Sequence, residues 1–191
     1  MVRSKNSMPV RKLQAVYTID DNTDPGLSAL LTGDLKTLNE QVQPILREIN
    51  DNVNDYGITI MPTPKGLGKF ASKPIRETNV LLGIYTGRLH FANTPIPDNG
   101  RHMNLRSIKG VDLFIEGSDP SPINAADFNH SCRKANAAFR YVATLPAIVV
   151  TNTRPIKAGE ELLLDYGDSY FRSGGSMPCL CEKVCPKGRF F

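Results

Sequence analysis

The sequence predicts a mostly β domain of many short strands, with short helices and an N-terminal helical extension. Three observations carry this. Short β-branched and aliphatic runs recur from Tyr56 onward. Gly and Pro punctuate them throughout, which ends strands and shapes turns. Only one stretch, residues 27–50, repeats its apolar residues at helical spacing. The length of 191 residues suits one domain with an extension. Hydrophobic and charged shares of 40% and 22% are those of an ordinary folded chain. Such a chain can bury a sizeable core without disulfides.

Taken in order, residues 1–26 are polar and broken by Pro9, Pro25 and Gly26, so an arm or irregular lead-in is expected. In the next segment Leu31, Leu35, Leu38, Val42, Ile45 and Ile49 fall on one apolar stripe, which predicts a helix over about 27–50. Pro44 is expected to kink or split it. The stripe fits packing against the chain's own domain. A homodimer seam through residues 27–50 is the alternative, weakened by the proline. Strands are expected at Gly57–Ile60, Val80–Tyr85, Leu113–Ile115, Ala138–Val142, Ala147–Thr151 and Glu161–Leu164. Ala92–Gly110 shows little pattern and reads as a loop-rich insert.

The formal charge of +4 suits an acidic partner such as nucleic acid, and equally a solvated surface. No apolar run approaches the roughly 20 residues that cross a bilayer. Met1-Val2-Arg3-Ser4-Lys5 has no apolar region behind it, so no Sec-type signal is expected and a reducing compartment is.

Three of the 4 cysteines, Cys179, Cys181 and Cys185, cluster near the C-terminus. The fourth, Cys132, is distant. Four thiolates are the complement of a closed tetrahedral zinc site, which would be structural because no position stays open. Clustered cysteines in a reducing compartment read as metal before disulfide. Four unrelated thiols, with Cys132 a small buried hydrophobe, is the alternative.

Cys132 closes the run Asn129-His130-Ser131-Cys132, and a second polar motif, Asp165-Tyr166-Gly167, follows later. Asn and His offer directed donors and acceptors, and Tyr one hydroxyl. Together they read as a site holding a polar cofactor beside a reacting amine.

These residues resemble the SET-domain lysine methyltransferases. Gly66-Leu67-Gly68 with Lys69-Phe70-Ala71 is similar to the family's Gly-rich cofactor loop, and Ile84-Tyr85-Thr86-Gly87 to its Tyr-x-Gly strand end. Asn129-His130-Ser131-Cys132 matches its most diagnostic motif. Ala158-Gly159-Glu160-Glu161-Leu162, running into Asp165-Tyr166-Gly167-Asp168, resembles its second core motif, and Cys179–Cys185 its post-SET zinc segment. The pattern departs at Asn136, preceded by Ala135 where the family has Pro before an Asn one position earlier. It departs again at Ala126, where Arg is common, and in the spacing before Cys185.

The resemblance implies a fold of several small sheets with a knot-like C-terminal crossing. It implies an extension over 1–56, a SET domain over 57–172 and a post-SET zinc segment over 173–191. The activity implied is transfer of a methyl group from S-adenosylmethionine to a lysine ε-amine, on a histone tail first, with nucleosomal DNA as an accessory contact. A non-histone host or own protein is the alternative substrate, and an inactive SET-like binding module the alternative class. Nucleus or chromatin is implied for a eukaryotic protein, and host nucleus or cytoplasm for a bacterial or viral one. Tyr166 and Tyr85 would be catalytic. Lys65, Gly66, Leu67, Gly68, Asn129, His130, Tyr166, Phe171 and Leu180 would hold the cofactor. Tyr85 and Leu164 would line the lysine channel, and Cys132, Cys179, Cys181 and Cys185 would hold Zn2+. Leu164 brings no hydroxyl, which implies room for more than one methyl group.

Overall fold

The computed structural model describes residues 16–19, 25–95, 101–108, 110–117, 120–168, 170 and 179. Their elements form three small sheets and no closed barrel, beside two α-helices and one 3-10 turn. The expected mostly β class is therefore observed.

The expected single helix is two, α1 (Pro25–Gln41) and α2 (Gln43–Asp55). Pro44 lies in the first turn of α2, where a missing N–H breaks no helical bond. Val42 still donates to Leu38 O at 3.1 Å and accepts from Leu46 N at 3.0 Å, so the chain passes through nearly helical. The stripe continues beyond Ile49: Leu27, Leu31, Leu38, Val42, Leu46, Ile49 and Val53 are all buried. They join the one core cluster that also contains the strand residues. That core occupies the seam, so a homodimer through residues 27–50 gains no support. Gly57, at φ +58, then turns the chain out of α2 in the left-handed conformation that favours glycine.

The first sheet runs β2 (Ile58–Thr63) against β3 (Gly66–Ala71), in register from Ile58↔Ala71 to Thr63↔Gly66. The glycine-rich segment, expected as a loop, is thus largely a strand. Its turn is confined to Pro64 and Lys65, because Gly66 takes φ +102 and reverses the chain at once.

The four-stranded sheet holds β1 (Tyr17–Ile19), β5 (Gly87–Phe91), β7 (Val111–Gly117) and β6 (His102–Ile108), in that order. Two expectations are corrected here. Part of the irregular lead-in is strand β1, held by Asn39 of α1, whose Oδ1 accepts from Val16 N at 2.8 Å and Tyr17 N at 3.0 Å. Part of the loop-rich insert is β6, which pairs with β7 from His102↔Glu116 to Ile108↔Val111. Both strands depend on distant partners, and neither carries enough alternation to announce itself.

The five-stranded sheet has the order β4 (Leu81–Ile84), β10 (Ile148–Asn152), β9 (Ala137–Tyr141), β11 (Leu163–Leu164) and β8 (Asn129–His130). The strands β8 and β11 pair in parallel, Leu163↔Asn129 and Leu164↔His130. This short pairing brings the two distant polar motifs together.

Candidate active site

Asn136 welds the start of β9 to the second motif's strand. Its backbone N–H donates to Leu163 O at 3.0 Å, and its Oδ1 accepts from Leu163 N at 2.8 Å. Its Nδ2 donates to Glu161 O at 2.8 Å. The side chain is fully buried with both ends satisfied, so the shifted asparagine serves the backbone.

On one side of this weld lie Lys65, Gly68, Asn129 and His130. Asn129 Nδ2 donates to Glu161 Oε1 at 2.8 Å and Leu67 O at 3.1 Å. A Cβ on Gly68 would sit 2.5 Å from Glu161 Oε1, 2.7 Å from Asn129 Nδ2 and 2.9 Å from Thr63 Cγ2, so any larger residue displaces these side chains. Lys65 Nζ donates to His130 O at 2.9 Å, a contact that fixes backbone. Leu67 remains exposed on the hairpin. The backbone N–H of Tyr166 points at His130 Nδ1 at 3.2 Å. Leu164 O lies at the same 3.2 Å from Nδ1, and Nε2 faces Cys132 Sγ at 3.1 Å, so the tautomer sets which ring nitrogen donates.

On the other side is a narrow channel lined by Tyr85, His102, Met103, Ala125, Ala126, Phe128, Phe139, Tyr166 and Tyr170. Tyr85 and Tyr166 both line it. The Tyr166 hydroxyl donates to Phe128 O, and its ring packs edge-on against Tyr170, centroids 4.8 Å apart. Burial raises both the Tyr85 and Tyr166 phenols well above their ordinary range, so both stay protonated near neutral pH. None of the lining residues is a carboxylate. Leu164 is fully buried and stands behind the channel, outside its lining.

The wall has a polar foundation that sequence reasoning missed. Lys69 is fully buried, and its Nζ donates to Asn124 O at 2.6 Å and Pro122 O at 2.8 Å. It lies 4.5 Å from the centre of the Phe128 ring. Burial pushes its pKa down to about 7, against the opposing pull of Asp127. Asp127 is itself buried and paired with Arg101 at 2.7 Å. Asn124 caps the 3-10 turn Ala125–Asp127 by accepting from Ala126 N at 3.0 Å. His102, Met103 and Tyr170 also escaped the sequence reading. The first two sat in the patternless insert, and only Tyr170, just past the Asp-Tyr-Gly motif, carried a signal that could have found it.

Cys132 and Cys179 bring Sγ atoms to 3.7 Å. That is too long for a disulfide, and close to the ~3.8 Å edge of a tetrahedron with Zn–S bonds of about 2.3 Å. The thiol pair therefore fits zinc. With a His130 ring nitrogen the three potential ligand atoms lie within 4.8 Å of one another. Cys181, Cys185, Phe171 and Leu180 lie outside the described residues.

The SET-domain family model matches residues 66–167. A SET domain-containing protein of Phaeosphaeria nodorum is 43% identical over 60 residues, 30% of this chain and 9% of that protein. The chain thus spans under a tenth of that curated relative. Among solved structures, the methyltransferase domain of human PR domain-containing protein 2 is 22% identical at a TM-score of 0.49, covering 64% of this chain and 86% of that one. KRYPTONITE, in complex with mCHG DNA and SAH, is 18% identical at a TM-score of 0.53, covering 70% and 29%. The likeness to KRYPTONITE is one of fold.

Proposed function

Because this chain belongs to the SET-domain family, we propose that it is an S-adenosylmethionine-dependent protein-lysine N-methyltransferase. The observation that carries this reading is the convergence of Tyr85, Tyr166, Phe139 and Tyr170 on one channel, beside the Gly68–Asn129–His130 cluster. The cofactor supplies an electrophilic methyl group on a sulfonium, and the chain's residues do the rest. The two protons of Asn129 Nδ2 are committed to Glu161 and Leu67. Its Oδ1 is then the atom a cofactor amino group would meet. Lys65 and Gly66 shape that edge, with Leu67, Phe171 and Leu180 as covering residues.

A free lysine has a pKa near 10.4, and holding it neutral at pH 7.4 costs about 4 kcal/mol. An aromatic channel lowers that cost by desolvating the ammonium, and a neighbouring sulfonium lowers it further. No carboxylate base is then needed. Tyr166, its proton committed to Phe128 O, offers lone pairs to the amine and fixes its line of attack. Tyr85 forms the opposing aromatic wall.

The SET unit is taken as 57–172, with 1–56 as an extension that shares its core and 173–191 as the tail. Zinc, held by Cys132, Cys179, Cys181 and Cys185, would staple that tail beside the cofactor motif. A histone tail is the proposed substrate, and a non-histone basic protein the next. Leu164, outside the lining and without a hydroxyl, puts no water-holding group beside the amine, which leaves more than one methyl group as the proposed product. Radiolabelled S-adenosylmethionine with core histones, nucleosomes and cell lysate tests the reading. Wild type should label protein and Tyr166→Phe should label it far less. Equal labelling, or none by either, would overturn it.

A further inference from the structure

Strand β3 carries Lys69 at a fully buried position, where an aliphatic residue is usual and a lysine is kept only with partners. Its neighbour Gly68 belongs to the cofactor edge. Its own Nζ reaches the segment that builds the channel wall, donating to Pro122 O at 2.8 Å and Asn124 O at 2.6 Å. It lies 4.5 Å from the centre of the Phe128 ring. Charged or neutral, the amine keeps at least two N–H, so both carbonyls are served in either state.

What Lys69 holds leads to both channel tyrosines. Asn124 is fully buried and starts the turn Ala125–Asp127. Its carbonyl also accepts from Asp127 N at 3.3 Å, and its Oδ1 from Ala126 N at 3.0 Å. Phe128 ends that turn, and its carbonyl takes the Tyr166 hydroxyl proton. Asn124 Oδ1 accepts as well from Thr86 N at 3.4 Å, and Ile123 O from Ile84 N at 2.9 Å; these two bonds bracket Tyr85. Ala125, Ala126 and Phe128 themselves line the channel. A methionine would fill the space of Lys69 without the cost of desolvating an amine. It would not hold the two carbonyls.

We propose that Lys69 is a positioning residue for methyl transfer: it anchors residues 122–128 and through them sets the Tyr166 hydroxyl and Tyr85 in the channel. The inference rests on the methyltransferase reading and deepens it. Lys69 acts through these residues, so its loss should slow the chemical step and leave cofactor affinity in place.

The test labels tyrosine with carbon-13 at Cζ, the atom that bears the hydroxyl. NMR signals of Tyr166 and Tyr85 are assigned by their absence in Tyr166→Phe and Tyr85→Phe. Lys69→Met removes the donors and keeps the apolar stem, while Lys69→Gln keeps two N–H on a shorter stem. Leu31→Ala, in the buried face of α1, controls for lost stability alone. Lys69→Met should move the Tyr166 and Tyr85 signals and leave that of Tyr56, at the end of α2, in place. Lys69→Gln should return Tyr166 towards its wild-type position, and Leu31→Ala should move neither. With radiolabelled S-adenosylmethionine and core histones, kcat of Lys69→Met should fall about 10- to 100-fold, as misplacement by roughly an ångström implies, with calorimetric cofactor affinity within about twofold of wild type. An unmoved Tyr166 signal in folded Lys69→Met would overturn the proposal. So would equal shifts in Leu31→Ala, or a loss confined to cofactor affinity, and each would leave the methyltransferase reading intact. Should Lys69→Met not fold, Tyr166→Phe reads the link from the other end: the carbon-13 signal of Lys69 Cε should move, and one that stays put refutes the link. If wild type labels neither histones, nucleosomes nor lysate protein, the methyltransferase reading falls alone, and the NMR signals still decide whether Lys69 sets Tyr166.

Discussion

Lys69 gives the fold a pH dependence that can be calculated. Its ammonium lies in the core, on the carbonyls of Pro122 and Asn124, with a pKa lowered to about 7 against 10.5 for the exposed group. Between these values the unfolded chain holds a proton that the folded chain has released. Stability therefore rises with pH, by up to about 1.4 kcal/mol per unit. Below pH 7 both states carry the proton and the slope vanishes. Integrated from pH 7 to 9, the gain is about 2 kcal/mol. The buried phenols of Tyr17, Tyr85 and Tyr166 act in the opposite sense only near pH 10 and above, where unfolded tyrosine ionises. Lys69→Met keeps the apolar stem and removes the titration, but strands two carbonyl acceptors at about 1–3 kcal/mol each. Urea unfolding of both proteins at pH 7, 8 and 9 reads the difference. The stability of wild type relative to the variant should rise by about 2 kcal/mol between pH 7 and pH 9. Parallel pH curves would refute the placement of a titrating ammonium in the core.

Three further outcomes follow from the site. Gly68→Ala must displace Glu161 or Asn129, so S-adenosylmethionine affinity by calorimetry should fall at least about tenfold, with a stability loss of about 1–3 kcal/mol. Asn136→Ala strands Leu163 N–H and Glu161 O inside the sheet; chemical denaturation should show a loss of about 2–4 kcal/mol, and a loss under about 1 would mean that the weld is dispensable. Purified protein should contain zinc, and chelation should lower thermal stability and cofactor affinity together; Cys132→Ser should carry under half the wild-type metal, and wild-type protein free of zinc would sink the site.

The legible part of this protein was that written in local pattern. The stripe from Leu31 to Ile49 declares a helix, and Val53, four residues beyond Ile49, keeps the same spacing although the expected helix ended at residue 50. Strands with dense β-branched runs, such as Ile148–Asn152, were read within a residue or so. Strands β1 and β6 were not, because three residues held by Asn39, or a polar strand completed by β7, exist only once a partner is present. In the site, Tyr85 and Tyr166 were singled out and do share a channel, while Leu164 stands behind it.

Residue type and spacing along the chain set the class of fold, the two polar motifs and the clustering of cysteines. How these are used depends on contacts between distant segments. Parallel pairing of Asn129–His130 with Leu163–Leu164 made one site of two motifs. The same folding drew His102 and Tyr170 to the channel, and set the buried Lys69 against Phe128 in its wall. Strand pairing and burial act between residues far apart in sequence, and a side chain's solvation, partners and pKa are set by that company and not by its neighbours along the chain.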